Sequence, residues 1–321
     1  MSQEISQKIN EGGSAILTQA LSIEDNLSLA MAWGRDDNIR RAGESTGDYA
    51  LRLEDKGILS PELGGVIDDF TENSNKTGGL LLRGFEVDTD TEVDPEGARA
   101  FGEFILLSTA MHIGKPYGYK SQRDGEIIQN LAPKKEDAEK QLGTGSATML
   151  EWHTEDAHTD LNCSYIALLC MRGAVDAATL ISRIDPGELD KTTRAQLEKP
   201  EYVIKSDGSY LEESQVKTGV LNYDAAGRLT VRYDPLYTQC QSEDASNALA
   251  ELGSYIDDKA VSVVLKQGEL LLVDNNVSVH ARSPYTPKYD GKDRWLKRVG
   301  ILNKGVPKEH LYANNSLVIN L

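Results

Sequence analysis

Positive charge is scarce in this sequence. It has 34 lysines and arginines against 51 aspartates and glutamates in 321 residues, which gives a formal net charge of −17 at pH 7. Nucleic acids and anionic membranes attract basic surfaces, because their phosphates are negative. We therefore expect neither nucleic acid nor a membrane as a partner. The charge does not identify a small-molecule ligand.

Cysteine is also rare. The three cysteines, Cys163, Cys170 and Cys240, are odd in number and not clustered. This argues against a disulfide framework and a cysteine zinc site, and it is typical of a reducing compartment. No apolar run approaches the roughly 20 residues of a membrane span, and the polar stretch 1–7 has no apolar signal core. The sequence therefore predicts a soluble, cytoplasmic protein.

The chain lacks any Pro/Gly/Ser-rich linker, internal repeat or low-complexity tract. We therefore expect a single domain over 1–321. Its first part, 1–115, is predicted to be mostly helical. Short strands are predicted to predominate in 116–305, and 306–321 is a C-terminal extension. Pattern alone predicts a mixed α and β fold.

Local signals in the first part predict individual elements. Ser22-Ile23-Glu24-Asp25 resembles a capping box ahead of an apolar-periodic stretch. Apolar spacing predicts helices near 60–70 and 96–111. The run LLLRGF at 80–85 predicts a short buried strand.

One of the five histidines belongs to a string with a carboxylate, His153-Thr154-Glu155. On a strand, residues i and i+2 point to the same face, so His153 and Glu155 would aim at one metal. His280 follows 125 residues later in a β-branched stretch. Two imidazoles and one carboxylate form the 2-His-1-carboxylate facial triad of non-haem Fe(II) oxygenases. The same donors also serve zinc hydrolases, which is the alternative chemistry.

Two of the three arginines that follow His280 are only four residues apart. Arg294 comes 14 residues after His280, and Arg294, Leu296 and Arg298 are spaced to share one strand face. Two guanidiniums on one face are costly unless anions meet them. A dicarboxylate co-substrate and a substrate carboxylate would do so in bidentate geometry. The arginine pair therefore favours an oxygenase over a zinc hydrolase.

With these residues the chain resembles the clavaminate synthase-like family of Fe(II)/2-oxoglutarate oxygenases, especially its free amino-acid hydroxylases. The resemblance runs from about Gly79 to about Leu302, and its most specific string is PKYDGKDRWLKR, which ends at Arg298. The other resembling strings are LEWHTEDA at 150–157, IALLCMR at 166–172, ATL at 178–180, Asp274-Asn275 and His280-Ala281-Arg282.

The resemblance implies an α+β fold with a double-stranded β-helix (jelly-roll) core, flanking helices and one catalytic domain. It implies Fe(II) as the metal, with 2-oxoglutarate and O₂ as co-substrates. His153, Glu155 and His280 would hold the iron. Arg294, with Thr179 beside it, would pair with the distal carboxylate of 2-oxoglutarate.

The resemblance also implies contacts with a small-molecule amino-acid substrate. Arg298 would meet the substrate α-carboxylate, and Gln129 would lie near the α-amino group. Glu155 and Asp156, which are adjacent in the ligand string, are further candidates for substrate contact.

Asp234 is the candidate for the substrate side chain. It lies 46 residues before His280, a spacing similar to that of an aspartate that contacts substrate in arginine and asparagine hydroxylases of this group. An ordinary loop residue before Pro235 is the alternative. The arginine hydroxylases have a second acid two positions earlier, where this chain has Arg232. That departure leaves lysine or a shorter polar amino acid open as the substrate.

The expected function is hydroxylation of an unactivated C3 or C4 carbon of a free L-amino acid with a basic or polar side chain, such as lysine, arginine or asparagine. A carboxylate at Glu155 favours hydroxylation, since related halogenases place a small residue there. Oxidative desaturation or cyclisation by the same iron chemistry is one alternative. A non-catalytic ligand-binding jelly-roll protein is another, and the intact ligand and arginine set argues against it.

A charged stretch, 133–147, ends in Gly-x-Gly just before His153. It predicts a solvated loop or, alternatively, a lid that closes over substrate on a glycine hinge. Among the remaining histidines, His112 and His310 are predicted to be structural or at the surface. His158 is predicted to lie near the site but out of register with the ligands.

Overall fold

The computed structural model of the protein describes most of the chain between residues 16 and 319. The described ranges are 16–35, 38–41, 43–54, 56–73, 77–87, 101–122, 125–161, 163–207, 210, 213–303 and 317–319. The C-terminal extension therefore lies mostly outside the described residues, and so does His310.

Helices dominate the N-terminal part of the described chain, as predicted. They are α1 (Ile23–Trp33), α2 (Thr46–Leu53), α3 (Pro61–Asn73) and α4 (Phe101–Ile113). The capping box of α1 is confirmed: the Ser22 hydroxyl accepts from the Asp25 N–H at 3.1 Å, and the Asp25 carboxylate accepts from the Ser22 N–H at 2.8 Å. The predicted start of the last helix, 96–100, lies outside the described residues.

The larger sheet is mixed. Its strands are β1 (Ile16–Ala20), β2 (Gly79–Arg83), β3 (Gly114–Tyr119), β4 (Gln129–Leu131), β6 (Tyr165–Arg172), β14 (Glu269–Asp274), β16 (Trp295–Asn303) and β17 (Val318–Ile319). The order is β1-β2-β14-β6-β16-β3-β17, and β4 also pairs with β16. Sequence reasoning predicted β2, β14 and β16, but it missed β1, which pairs in parallel with β2.

The central strands of this sheet read as unbroken apolar runs. The strand β6 is YIALLCMR and β14 is ELLLVD, and nearly every residue of both is buried. A strand with one solvated face would alternate apolar and polar residues. The continuous runs therefore indicate that both faces of the larger sheet are covered.

The smaller sheet covers one of these faces. Its antiparallel strands, in spatial order, are β13 (Val261–Val263), β7 (Thr179–Arg183), β15 (Ser278–Arg282) and β5 (Leu150–His153). Ile181 of this sheet shares an apolar cluster with Ile166, Leu271 and Leu296 of the larger one. The two sheets therefore pack face to face, and the candidate ligands His153 and His280 lie on the smaller one.

The flanking helices cover the opposite face of the larger sheet. Phe104 and Ile105 of α4 share a cluster with Leu169 and Val299. Lys297, on the same side of β16, is only 1% exposed, and its ammonium contacts the Glu103 carboxylate at 3.0 Å. Neighbouring residues of β16 thus alternate between the helices and the space between the sheets.

Further elements cover the outer face of the smaller sheet. They are α5 (Lys191–Leu197), β8 (Tyr202–Lys205), β9 (Gln215–Thr218), β10 (Leu221–Tyr223), β11 (Leu229–Val231), β12 (Thr238–Cys240) and α6 (Glu243–Asp258). Short strands predominate after 116, and the helices α5 and α6 lie among them. The buried residues Ala245, Leu249, Leu252 and Ile256 have helical spacing, which marks α6 as amphipathic.

The end of the described chain returns to the larger sheet. Val318 and Ile319 pair in parallel with Gly118 and Tyr119 of β3. Within the described ranges, no helix combines the length and apolar character needed to cross a membrane.

Gly268, just before β14, is expected to be intolerant of any side chain. Its φ is +71°, and an added Cβ would lie 2.1 Å from the carbonyl oxygen of Phe85. Gly227 has a similar φ of +75°, but no atom lies within 4 Å of its added Cβ. We expect Gly227→Ala to cost only the left-handed backbone term of about 1–2 kcal/mol, and Gly268→Ala to cost clearly more.

Urea unfolding monitored by circular dichroism would measure both free energies of unfolding. Equal losses in the two variants would show that the close backbone approach at Gly268 has no energetic consequence.

Candidate metal centre and substrate cavity

Two adjacent antiparallel strands bring the candidate metal ligands together. His153 at the end of β5 lies directly opposite His280 of β15, and their ring centroids are 4.2 Å apart. Glu155 follows β5 by two residues, and its Oε2 is 3.8 Å from His280 Nε2. The donor atoms of all three residues lie within 4.8 Å of one another. Glu155 and His280, which are 125 residues apart in the sequence, thus belong to a single cluster.

The orientation of His153 suits metal binding. His153 Nδ1 lies 2.7 Å from the Glu151 carbonyl. A carbonyl only accepts, so Nδ1 is its donor and Nε2 is the nitrogen that can face a metal. Burial, together with the nearby His153 and Arg298, lowers the pKa of His280 well below its usual value. Two imidazoles and a carboxylate fit Fe(II), although the donor types alone would also fit Zn²⁺.

The backbone of Glu155 is held by Asn275, a residue of one of the resembling strings that received no predicted role. Asn275 is fully buried; its Oδ1 accepts from the Glu155 N–H at 2.8 Å, and its Nδ2 donates to the carbonyls of Glu155 at 3.2 Å and Cys163 at 2.8 Å. The amide therefore locks the residue after the strand end. The Asp-Asn-Asn string was the available signal, because turn amides often bond backbone groups.

Arg298 and Gln129 meet Glu155 from the opposite sheet. Arg298 Nη1 donates to Glu155 Oε2 at 2.7 Å, and its Nη2 donates to Gln129 Oε1 at 2.5 Å. Gln129 lies directly opposite Arg298 in the pairing of β4 with β16. Burial raises the pKa of Glu155, and the Arg298 guanidinium opposes that shift. The structure thus brings three of the predicted site residues into one chain of contacts.

Asp156 has a φ of +56° and is surrounded by tyrosine hydroxyls. Its carboxylate accepts from Tyr210 at 2.6 Å, from Tyr119 at 3.2 Å and, over a very short contact, from Tyr117. These phenols use much of its hydrogen-bonding capacity. A substrate contact through Asp156 stays a prediction. The tyrosines were missed because they come from two stretches of chain, β3 and the segment around Tyr210, that are distant in sequence from Asp156.

A cavity of about 190 Å³ opens beside the candidate ligands. The side chains around it come from both sheets, from the 133–147 stretch and from the segment between β8 and β9. Its charged and polar lining includes Gln129, Lys134, Asp137, Gln141, His153, Glu155, Asp156, His158, Lys205, Asp207, Tyr210, Asp234 and Arg298.

Asp234 lines the cavity. Its pKa is raised to about 6, chiefly by burial and also by the nearby Asp207, while the neighbouring His153 opposes the shift. Asp207 also raises the pKa of Glu155. Asp207 therefore lies within electrostatic reach of both the candidate metal ligand and Asp234. Sequence reasoning missed Asp207, which lacks any local motif.

Arg232, the departure from the arginine hydroxylase pattern, does not line this cavity. Its guanidinium donates to the carbonyls of Ala157 and Asp160, each at 3.1 Å, and to that of Thr159. It therefore fixes the turn that follows the ligand string. The position that holds an acid in those hydroxylases has a structural role here.

Neither Arg294 nor Thr179 is among the residues that line this cavity. Arg294 is 6% exposed and sits 5.9 Å from the centroid of the Tyr285 ring. It precedes β16, and the pairing of β16 with β6 shifts register between Trp295 and Leu296. A strand face shared by Arg294, Leu296 and Arg298 stays a prediction. Thr179 is buried in β7, directly opposite Arg282 of β15.

The other histidines divide as predicted. His112 Nε2 lies 2.9 Å from an Asp68 carboxylate oxygen in the helical flank. His158 lines the cavity, and its Nδ1 bonds the Ser214 hydroxyl at 2.6 Å, but it does not belong to the three-residue cluster. Burial lowers the pKa of His158.

The 133–147 stretch is a folded loop that borders the cavity. The Asp137 carboxylate accepts from Thr144 at 2.7 Å and from Lys140 at 2.8 Å. Gly145 permits a close approach, since a Cβ there would lie 2.4 Å from the Lys140 carbonyl oxygen, and its φ is not left-handed. A packing role therefore explains this glycine. Closure of the loop as a lid stays a prediction.

Comparison with known proteins places the chain among oxygenases. It is 30% identical to clavaminate synthase 2 of Streptomyces clavuligerus, over 76% of this chain and 79% of that protein. It is 28% identical to an L-ornithine/L-arginine 3-hydroxylase of Catenulispora acidiphila, over 88% and 93%. A solved asparagine oxygenase in complex with Fe(II), (2S,3S)-3-hydroxyasparagine and succinate superposes with a TM-score of 0.85 at 26% identity, over 95% and 99%. No protein-family model matches.

We expect one divalent metal ion per chain, held by His153, Glu155 and His280. Anaerobic calorimetry with Fe(II) would show one site in the unaltered protein and none in His153→Ala or His280→Ala, because two donors hold an ion far more weakly than three. His158→Ala is the matched control: it removes a buried imidazole from the same cavity and should leave the stoichiometry at one. Retention of the metal by both ligand variants would contradict the assignment.

Proposed function

Because this chain belongs to the clavaminate synthase-like family of Fe(II)/2-oxoglutarate oxygenases, we propose that it hydroxylates an unactivated C3 or C4 carbon of a free L-amino acid with a basic side chain. The single observation that carries the proposal is one cavity bordered by the His-Glu-His cluster, by Arg298 and by the acids Asp207 and Asp234. These groups complement a metal ion, an α-carboxylate and a side-chain cation, respectively.

Iron with its 2-oxo acid co-substrate supplies the oxidation when bound, and the protein supplies orientation and exclusion of water. His153, Glu155 and His280 would hold the metal on one side and leave positions free on the other. The solved asparagine oxygenase contains Fe(II) and succinate, which supports the same pair of requirements here. Arg294 and Thr179, both buried, would take the distal carboxylate of 2-oxoglutarate.

Arg298 is the proposed partner of the substrate α-carboxylate. Two of its nitrogens already donate, one to Glu155 and one to Gln129. A guanidinium has five N–H groups, so donors remain for a carboxylate. Gln129 and the Glu155 carboxylate, beside the same guanidinium, would meet the α-amino group. A free amino acid satisfies all of these groups, whereas a peptide-bonded residue lacks one of its two charges.

The side-chain end of the cavity favours a cation. Burial is the main cause of the raised pKa of Asp234, and the nearby Asp207 raises it further. An ammonium or guanidinium near both carboxylates would oppose these effects and form charge-assisted hydrogen bonds. Asp207 would thus do the work of the acid that the arginine hydroxylases have at the position of Arg232. A basic substrate is again favoured.

The order of these groups also supports attack in the middle of the substrate. Glu155 adjoins Arg298 at 2.7 Å, and His153 interacts with Asp234. The metal would therefore lie between the α-carboxylate and the side-chain charge. Carbons between those ends, C3 and C4, would face it.

The broader predictions complete the proposal. We propose that the two facing sheets form the double-stranded β-helix core of one catalytic domain, 1–321, with 1–115 as the helical flank, 116–305 as the core and 306–321 as an extension. The unpaired cysteines Cys163 and Cys170 are buried, and Cys240 is half-buried, which supports a reducing, cytoplasmic setting. Small amino acids, and not nucleic acid, are the proposed partners.

A product screen tests the activity. The protein with Fe(II), 2-oxoglutarate and ascorbate would be incubated with each of the twenty L-amino acids and with ornithine, and succinate and product mass would be measured. A gain of one oxygen with a basic amino acid supports the proposal. A loss of two hydrogens would indicate the alternative, desaturation or cyclisation. Absence of succinate with every substrate, from metal-loaded protein, would contradict an amino-acid oxygenase.

The two acids should determine preference for basic substrates. One lost charged hydrogen bond costs about 1.5–3 kcal/mol, or roughly ten- to a hundredfold in binding. Asp234→Asn and Asp207→Asn should each raise the KM for the basic substrate by that factor and change the KM for 2-oxoglutarate little. Asp224→Asn, which removes an acid paired with Arg228 outside the cavity, is the control. If neither cavity variant raised that KM, the cation would bind elsewhere.

A further inference from the structure

Arg282 is a buried arginine to which the proposed chemistry assigns no role. It is 4% exposed and follows the candidate ligand His280 by two residues on β15. Residues i and i+2 of a strand share a face and are about 6.6 Å apart. Thr179 lies directly opposite Arg282 on β7. Arg282 therefore lies on the face of the metal ligand, next to the threonine proposed for the co-substrate.

Only one end of this guanidinium is used by the protein. Nη1 donates to the carbonyls of Ser146 at 3.2 Å and Ser283 at 3.0 Å. Nε and Nη2 are buried and have no hydrogen-bond partner among the described residues. An unsatisfied buried charged donor is costly. The unused edge, Nε with Nη2, is the edge that binds a carboxylate bidentately.

A second buried guanidinium lies beside the same aromatic ring. Arg282 and Arg294 are 5.2 and 5.9 Å, respectively, from the centroid of the Tyr285 ring. Across the described part of the chain, no carboxylate forms an ion pair with either arginine. Two buried cations without an anion form a site for one.

We propose that Arg282 is a second anchor for the distal carboxylate of the 2-oxoglutarate co-substrate, acting with Arg294 and Thr179. This inference rests on the proposed function, since it assumes a 2-oxo acid bound at the metal. Nε and Nη2 of Arg282 donate to the carboxylate, and the bonds of Nη1 to Ser146 and Ser283 hold the guanidinium plane in place beforehand. Fixing a donor in advance reduces the entropy lost on binding.

The arrangement predicts a preference for a dicarboxylate over a monocarboxylate of equal length. A 2-oxo acid would approach the metal through its oxo acid end, next to His280. The far end of a five-carbon chain then lies one pleat repeat along β15, where Arg282 and Thr179 face each other. 2-Oxopentanoate has the same chain with a methyl group in place of the distal carboxylate, so it cannot form these contacts.

Calorimetry with the full-length protein loaded with Mn(II), which permits binding without turnover, tests this proposal. We expect Arg282→Met to weaken 2-oxoglutarate binding at least about tenfold, the loss of one charged hydrogen bond, and to change 2-oxopentanoate binding less than twofold. Arg183→Met removes a guanidinium of the neighbouring strand β7 that already pairs with Asp185 at 2.9 Å. That control should bind both ligands normally.

The outcomes separate this inference from the function on which it rests. Unaltered protein that binds both 2-oxo acids equally well would contradict the 2-oxoglutarate assignment itself. If Arg294→Met loses affinity for 2-oxoglutarate but Arg282→Met does not, the role of Arg282 alone is overturned. Equal losses for both ligands in Arg282→Met would also overturn it, because they indicate a purely structural role.

Thermal unfolding of each variant accompanies the titrations. If Arg282→Met does not fold, Arg282→Gln replaces it, because an amide can still donate to the Ser146 carbonyl. The affinities of Arg282→Gln for 2-oxoglutarate and 2-oxopentanoate then test the role of Arg282 by the same criteria.

Discussion

The antiparallel pairing of β5 with β15 is the constraint on which the candidate site depends. It sets His153 opposite His280. The pairing of β15 with its other neighbour, β7, sets Arg282 opposite Thr179. A shift of one residue in either pairing would turn these side chains to the other face of the sheet. The register is held by the apolar residues Val279 and Ala281, which alternate with the polar ones and are buried in the cluster under α6.

The second constraint is the burial of charge on both faces of the larger sheet. Lys297 is matched by Glu103, and Arg298 is matched by Glu155. The first pair fastens β16 to α4, and the second joins β16 to the candidate metal centre. Arg282 and Arg294 have no such match among the described residues. The protein thus pairs the buried cations that join its sheets and helices. The region around Arg282 and Arg294, where an anionic co-substrate is proposed to bind, keeps its positive charge.

The candidate ligands and the arginines Arg294 and Arg298 were predictable, because each lies in a short sequence motif that indicates its chemistry. The same was true of the capping box at Ser22 and of the apolar strands β2 and β14. Asp207 and Tyr210 were not predictable as site residues, since nothing in their neighbours indicates a long-range contact. Arg232 was recognisable only as a departure. Its contacts with the 157–160 carbonyls explain why an arginine is tolerated there.

The sequence by itself determined the donor types, their strand spacing and the family resemblance. It did so because alternation along a strand and the chemistry of imidazole, carboxylate and guanidinium groups are local properties. Only the tertiary structure decided which distant residues share the cavity, that Asp156 faces three phenols, and that Asp207 lies near Asp234. These contacts depend on how the two sheets pack and on which segments cross them. Packing between residues that are distant in the chain produces no periodic pattern in the sequence.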